Sequence, residues 1–490
     1  MAFIPPPNDP FFELMRPPPN ETPAQMTARL EREREAQRIN DSIEEDIRNH
    51  RARLKREKAA VKVLLLGQAE SGKSTTLKNF LIKWAPEAWA RERDGWRLII
   101  HFNIVRAIVA ILRVVEAELG GDEPLEDDDK LDGRASILSP PASPSSSSRA
   151  PLTFTDRHQL LMIRLAPLRG LEADLKRRLG QSETPTSMVA SPFDTHATPT
   201  RQRFNPEFSV RNLDDVLSPT WTSAARAEIA SVTDTLANCR EDMKALWADP
   251  VVQQAVKRRK THLPESHRYF LDSLDRIACR TYSVTDNDIL RARLRTTGVR
   301  EHRIVFNNGP WETTQVSQIR SGQPAWEWCI YDVGGCRTQR TAWLPFFENT
   351  NVIIFLCPMN VFDERLQEDS RVNRLEDSFL LWQSICSTKL LARTQLIMFL
   401  NKTDLLKRKL KRGVQVKQYL PSYGNRPNEV GHVSKYFKDK FKEILHQQSP
   451  LPRTHYIYFT TVTDTTSTAK TLESIRDGVL RENLKSSQLI

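Results

Sequence analysis

The sequence predicts an α/β fold: a mostly parallel sheet of six strands, with an all-helical domain inserted after the first strand and helix. Three observations carry this. Six apolar runs of strand length recur, "VKVLLLG" from residue 61, "IVFNNG" from 304, "WEWCIYD" from 326, "NVIIFLC" from 351, "TQLIMFLN" from 394 and "HYIYFTT" from 455. Stretches with helical spacing separate most of them, as parallel crossovers require. Between the helix that begins at Lys73 and the run at Ile304, about two hundred residues offer helical patterns and no convincing strand.

Taken in order, residues 1–22 are too proline-rich for regular structure and read as a tail. From residue 23 to 58 the chain turns to Arg, Glu, Gln and Ala, with Ile39, Ile43 and Ile47 four apart, which predicts a charged helix with one thin apolar stripe. Residues 59–92 and 288–490 hold the α/β domain, and 93–287 the helical insertion. Helical patterns there run over 98–119, 160–179, 224–247 and 266–278. Two Ser-, Pro- and acid-rich segments, 120–156 and 181–207, have the composition of chain that cannot repay its ordering entropy and are expected to be disordered.

Composition narrows the function classes. The six cysteines (239, 279, 329, 336, 357, 386) form no CxxC pair and no Cys/His cluster, so neither a zinc site nor a disulfide framework is expected. No window approaches eighteen uninterrupted apolar residues and the start lacks a signal-peptide pattern, which points to an intracellular protein. The formal charge of +11 includes runs such as "KRKLKR" at 407–412. Without interleaved aromatics or a known binding module, these read as solvated helix faces, and no nucleic-acid partner is expected.

The chemistry starts at "GQAESGKS", residues 67–74, which matches GxxxxGK[ST] after a strand and before a helix. Gly67 and Gly72 let successive N–H groups turn toward phosphate oxygens, and the helix adds the positive end of its dipole. Lys73 would neutralise the β and γ phosphates, and the Ser74 hydroxyl would ligate Mg²⁺. "NKTD" at 401–404 bears on the base: the Asp404 carboxylate matches the N1–H and 2-amino donors of guanine, a pair that adenine lacks. In "DVGGCRTQR", 332–340, Asp332 ends a strand where a carboxylate reaches Mg²⁺, and Gly335 can bring its N–H to a γ phosphate. Glycine is scarce in this chain, 17 of 490 residues, so its concentration at 67, 72, 334 and 335 is informative.

These motifs resemble one family, the α subunits of heterotrimeric G proteins. "ESGKST" (70–75), "DILRARLRTTGV" (288–299), "DVGG" (332–335), "NKTD" (401–404) and "FTTVTDT" (459–465) stand in its order, with a helical insertion between the first two. The resemblance covers residues 23–119 and 240–490 and implies a Ras-like P-loop GTPase domain carrying that insertion, with GTP/GDP and Mg²⁺ as its nucleotide and metal. It implies that Glu70, Ser71, Gly72, Lys73, Ser74 and Thr75 cradle the phosphates. Glu265 and Ser266 would touch the nucleotide from the helical domain. Leu290, Arg291, Ala292, Arg293, Leu294, Arg295 and Thr296 would line the phosphates as switch I, with Arg293 the catalytic arginine supplied in cis. Asp332, Val333, Gly334, Gly335 and Cys336 would face the γ phosphate, while Asn401, Lys402, Thr403, Asp404 and Val462 would hold the base. Mg²⁺ would rest on Ser74, Thr296 and Asp332. Expected partners are a βγ dimer, a G protein-coupled receptor at the C-terminus and an effector such as adenylate cyclase.

The departures matter as much. The family carries glutamine at the place of Cys336, whose carboxamide orients the attacking water; a thiol is a weak donor and acceptor. Ala69 stands where glycine is usual, its methyl directed toward the water's approach. Both changes predict intact binding and slow hydrolysis, or, in the alternative reading, a sensor or scaffold without useful turnover. Thr341-Ala342 and Pro345 alter switch II and weaken the expected βγ contact. Ala2 stands where myristoylation needs glycine, and no cysteine precedes residue 239, so attachment to the inner face of the plasma membrane is expected through partners.

Overall fold

The computed structural model describes residues 22–120, 152–179, 223–259, 263, 265–294, 298–306, 327–366, 369 and 371–486. The chain divides into two units, Met1–Ala60 and Val61–Ile490. In the first, helix α1 spans Pro23–Ala59, and Met26, Ile39, Ile43 and Ile47 on it are about half exposed. The tail before residue 22 and most of the segments 120–156 and 181–207 lie outside the described residues.

The second unit is organised by a six-stranded sheet in the order β2-β3-β1-β4-β5-β6. Strands β1 (Val61–Gly67), β3 (Glu327–Val333), β4 (Val352–Pro358), β5 (Gln395–Asn401) and β6 (His455–Phe459) are parallel, while β2 (Val299–Val305) runs antiparallel to β3. The expected fold class is therefore the observed one. Strand β2 begins five residues before the apolar run expected at Ile304. As an edge strand it buries only Ile304 and keeps Glu301, Arg303 and Val305 exposed, so its first residues carry no apolar signal.

Alternation along β1 sends Val63 and Leu65 to one face and Leu64 and Leu66 to the other, each at the centre of a separate core. The first core packs under α2 (Lys73–Trp84) and runs on through the helical insertion. That insertion holds α3 (Pro86–Glu92), α4 (Trp96–Leu119), α5 (Asp156–Arg164), α6 (Pro167–Arg178), α7 (Ser223–Asn238), α8 (Arg240–Ala248), α9 (Pro250–Arg258), α10 (Glu265–Asp272) and α11 (Leu274–Ile277). It leads into α12 (Asp286–Arg291). Among the described residues α4 alone is long and apolar enough to cross a membrane, and 78% of its most apolar window is buried inside the fold.

Three expected helices are each broken in two. The run 160–179 is interrupted before Pro167, which has no N–H to continue the ladder, 224–247 is interrupted at Cys239, and 266–278 is interrupted at Ser273. Residues 152–156 correct the expected disorder of 120–156: Thr155 and His158 close a capping box that starts α5, and Phe154 stacks edge-on against His158. Helix α9 has no counterpart in the sequence expectations. Asp249 starts it by accepting from the amides of Val251 at 2.8 Å and Val252 at 3.2 Å, with Pro250 as the first helical residue.

The second core is covered by α13 (Arg374–Ser387), α14 (Thr403–Lys411) and α15 (Val430–Gln448), and α16 (Thr465–Ser486) follows β6. Strand β1 lies between β3 and β4, so the connections leaving β1 and β3 diverge. That places a crevice at the carboxyl ends of the strands.

Candidate nucleotide-binding site

At the end of β1 the chain turns through Gly67 (φ 139°), Glu70 (φ 61°) and Gly72 (φ 107°) before α2 begins. Gly67 packs against the Leu356 carbonyl of β4 and Gly72 against the Asn401 carboxamide of β5, leaving no room for a Cβ. Glu70 is a non-glycine residue in the left-handed region, a conformation that costs about 1–3 kcal/mol and persists where surrounding contacts enforce it. One such contact is its ion pair with Arg293.

Lys73 is buried and donates to the carbonyls of Gly67 at 3.0 Å and Gln68 at 2.8 Å. Burial pulls its ammonium down to about 8, against the favourable field of Asp332. Ser71 offers its carbonyl to the Asn401 carboxamide at 2.7 Å. The Ser74 hydroxyl donates to Asp332 at 2.6 Å, so two of the three expected Mg²⁺ ligands meet as a hydroxyl and a carboxylate. Both are hard oxygen donors of the kind Mg²⁺ takes beside phosphate, and the pair fits the ion. The third, Thr296, lies with Arg295 outside the described residues. The Thr75 hydroxyl faces the Leu290 carbonyl at 3.5 Å.

Opposite the phosphate loop, α12 and the residues after it form one wall. Asp288 is fully buried and accepts from Arg276, Tyr269, Tyr282 and Thr285. Burial alone would raise its carboxyl, but these donors, Arg276 foremost, hold it at about 2. The anchored helix presents buried Leu290 and half-buried Arg291, then Ala292, Arg293 and Leu294. The Arg293 backbone is gripped by Asn103 of α4, whose carboxamide donates to the Arg293 carbonyl at 3.1 Å and accepts from its amide at 3.2 Å. From α2, the Lys78 ammonium donates to the carbonyls of Ile289 at 2.8 Å and Ala292 at 3.2 Å.

At the end of β3, Asp332 and Val333 are buried, as are Gly334 and Gly335 after it, and Gly335 lies against the phosphate loop: a Cβ there would fall 2.5 Å from the Ala69 nitrogen and the Lys73 Nζ. Cys336 is 3% exposed and precedes a 3₁₀ helix, Arg337–Phe346, that ends one residue past Pro345. Trp343 ties this helix back by donating to the Gly334 carbonyl at 2.9 Å. Arg340 makes a bidentate pair with Asp377 of α13, at 2.6 and 3.2 Å.

At the far end, Asn401 accepts from the Val462 amide and the Thr460 hydroxyl, each at 3.2 Å. Lys402 turns the chain at φ 62°, and burial lowers its ammonium. Thr403 meets Thr461 at 2.8 Å. Asp404 accepts from Arg408 at 3.2 Å, and Arg408 also pairs with Glu265 of the helical insertion, next to half-buried Ser266.

The expected residues that are described thus gather at the strand ends. Sequence reading missed Gln68, Lys78, Asn103, Asp288 and Asp377, which hold the others. Of these, Asp288 is the first residue of the "DILRARLRTTGV" stretch and Gln68 the second of "GQAESGKS"; the other three lie outside the quoted motifs.

Comparison with known proteins is consistent along the chain. The family model described as G-protein alpha subunit matches residues 37–479. The guanine nucleotide-binding protein alpha-4 subunit of Mycosarcoma maydis is 30% identical, the match covering 98% of this chain and 96% of that protein. A guanine nucleotide-binding protein subunit alpha of Candida albicans is 26% identical over 92% of this chain and 95% of its own. The alpha-2 subunit of Neurospora crassa is 35% identical over a shorter match, 50% of this chain and 64% of that protein.

Proposed function

The chain belongs to the G-protein α subunit family, which binds guanine nucleotides, hydrolyses GTP and transduces receptor signals, and on that premise we propose that it is a switch whose hydrolytic step is slow. The observation that carries the proposal is Cys336, buried beside the phosphate loop at the position where a water-orienting carboxamide is expected.

Binding needs no unusual chemistry. The phosphates would lie along the amides of 70–75 with Lys73 beside them, and Ser74, Asp332 and Thr296 would hold Mg²⁺, which would neutralise phosphate charge. Asp404 accepts the two guanine donors, while Asn401 and Val462 brace the loops around the base. Glu265 would close the site from the helical insertion through its pair with Arg408, with Ser266 beside it.

For hydrolysis, Arg293 must leave Glu70 and reach the γ phosphoryl group, where such an arginine contributes about 10³ to 10⁵ in rate. The water has no carboxamide to aim it, because a thiol offers one weak donor and one weak acceptor. The Ala69 methyl adds to this obstruction. The active form therefore persists unless a partner accelerates turnover.

A βγ dimer, a receptor and an effector are the partners the family implies. Adenylate cyclase is one candidate effector, and residues 481–490 are the candidate receptor contact. Attachment at the inner face of the plasma membrane would come through such partners. Affinities for GTP, GDP and ATP in Mg²⁺ test the assignment: tight GTP and weak ATP support it, and tight ATP binding contradicts it. Tight GTP with negligible turnover, even with partners present, would favour a sensor or scaffold.

A further inference from the structure

Gln68 is 2% exposed and its side chain points away from the phosphate cradle formed by its own loop. Its Nε2 donates to the Asp377 carboxylate at 2.5 Å and to the Arg374 carbonyl at 2.7 Å, both on α13. Those two acceptors fix the carboxamide's orientation, since the flipped amide would set oxygen against oxygen. The handshake is returned one residue on, where Arg374 donates to the Ala69 carbonyl at 3.0 Å.

The same oxygen of Asp377 that accepts from Gln68 accepts from Arg340 at 2.6 Å. Gln68, Asp377 and Arg340 are each 2% exposed, so this junction is shielded from water and its bonds are correspondingly strong. One carboxylate oxygen therefore joins the phosphate loop to the 3₁₀ helix Arg337–Phe346, although Gln68 and Arg340 share no bond in the structure.

We propose that Gln68 is a positioning residue through which the phosphate loop holds the 337–346 helix against α13, so that seating of phosphates and docking of this switch segment are coupled. The coupling follows from geometry. Moving Gln68 removes a donor that holds Asp377 in the rotamer Arg340 needs, and releasing Arg340 leaves Asp377 held from that segment only by the longer 3.6 Å pair with Arg337, and so easier to turn from Gln68. Partners of one buried network are not independent. The inference rests on the proposed nucleotide site, and it adds a regulatory link that the site residues alone do not contain.

The test is amide hydrogen exchange of the 337–346 segment in the full chain, as isolated and loaded with GDP or GTPγS, together with GTPγS dissociation. Gln68→Ala is expected to speed exchange there about tenfold and GTPγS release severalfold, as loss of a hydrogen bond to a buried carboxylate would. Gln68→Glu keeps the side-chain volume and sets a second carboxylate on Asp377; it is expected to act in the same direction, which covers the case where the alanine variant folds poorly. A Gln68→Ala/Arg340→Ala double variant is expected to be no faster than Arg340→Ala alone. Unchanged exchange in both Gln68 variants, or strictly additive effects in the double variant, overturns the proposal. Exchange is also read in the isolated protein, so failure of the native chain to bind GTPγS would sink the functional reading without deciding this one.

Discussion

Arg293 and Glu70 are held as an ion pair across the mouth of the phosphate loop, the first following α12 and the second in the left-handed turn before α2. The pair keeps the arginine close to the phosphate loop but occupied. With side chains 24% and 18% exposed, it contributes at most about 1 kcal/mol. Glu70→Gln is therefore expected to leave single-turnover hydrolysis unchanged or raise it by up to about fivefold. Arg293→Ala should slow it by about 10³ while nucleotide affinity moves only severalfold. Hydrolysis slowed tenfold by Glu70→Gln would contradict a restraining role for the pair.

Gly335 has no room for a side chain, because a Cβ would come within 2.5 Å of the Ala69 nitrogen, the Gln68 carbonyl carbon and the Lys73 Nζ. Two of these are backbone atoms and cannot swing away. Gly335→Ala is expected to keep GDP affinity within about twofold and lose the protection of 337–346 from trypsin that GTPγS confers, since the clash opposes only close approach of this segment. Protection equal to that of the native chain would count against it.

Asp404 is the group proposed to read the base. Replacing its carboxylate with a carboxamide puts a donor opposite guanine's donors, so Asp404→Asn should weaken GTP by about 10² or more. Xanthosine triphosphate, which presents an oxygen in place of the 2-amino group, should bind the variant better than GTP does. Competition binding checks the order of the two affinities.

Lys78 carries a pH dependence. Burial lowers its ammonium to about 7, although Asp332 and Glu92 act the other way. The unfolded chain keeps that proton up to about 10.4, so between roughly pH 7 and 10 the unfolded state binds more protons and this group's cost to folding shrinks as pH rises. Relative to Lys78→Met, the native protein should gain roughly 1–2 kcal/mol of stability between pH 6.5 and 8.5. Urea unfolding of both proteins at the two pH values measures it, and a constant difference would show that Lys78 does not titrate there.

The phosphate loop, the 332–336 segment and the 401–404 turn were legible in the sequence because each is a short contiguous run whose spacing follows from its backbone geometry. Strands β1, β3, β4 and β5 were legible because apolar neighbours bury them on both faces. What escaped is long-range. Asn103 grips Arg293 from 190 residues away, and Gln68 reaches Asp377 from 309, so no local pattern could pair them. The first residues of edge strand β2, 299–303, escaped for a different reason, since one neighbouring strand leaves them too polar to announce it.

Single-turnover hydrolysis of GTP by the native chain, by Cys336→Gln and by Cys336→Gln/Ala69→Gly tests the central claim most directly. A restored carboxamide should aim the water and raise the rate at least about tenfold, which is 1.4 kcal/mol of barrier, with a further gain when the Ala69 methyl is removed. GTP affinity should stay the same throughout. Equal rates for the native chain and Cys336→Gln would contradict the claim that residue 336 sets how long this protein stays active.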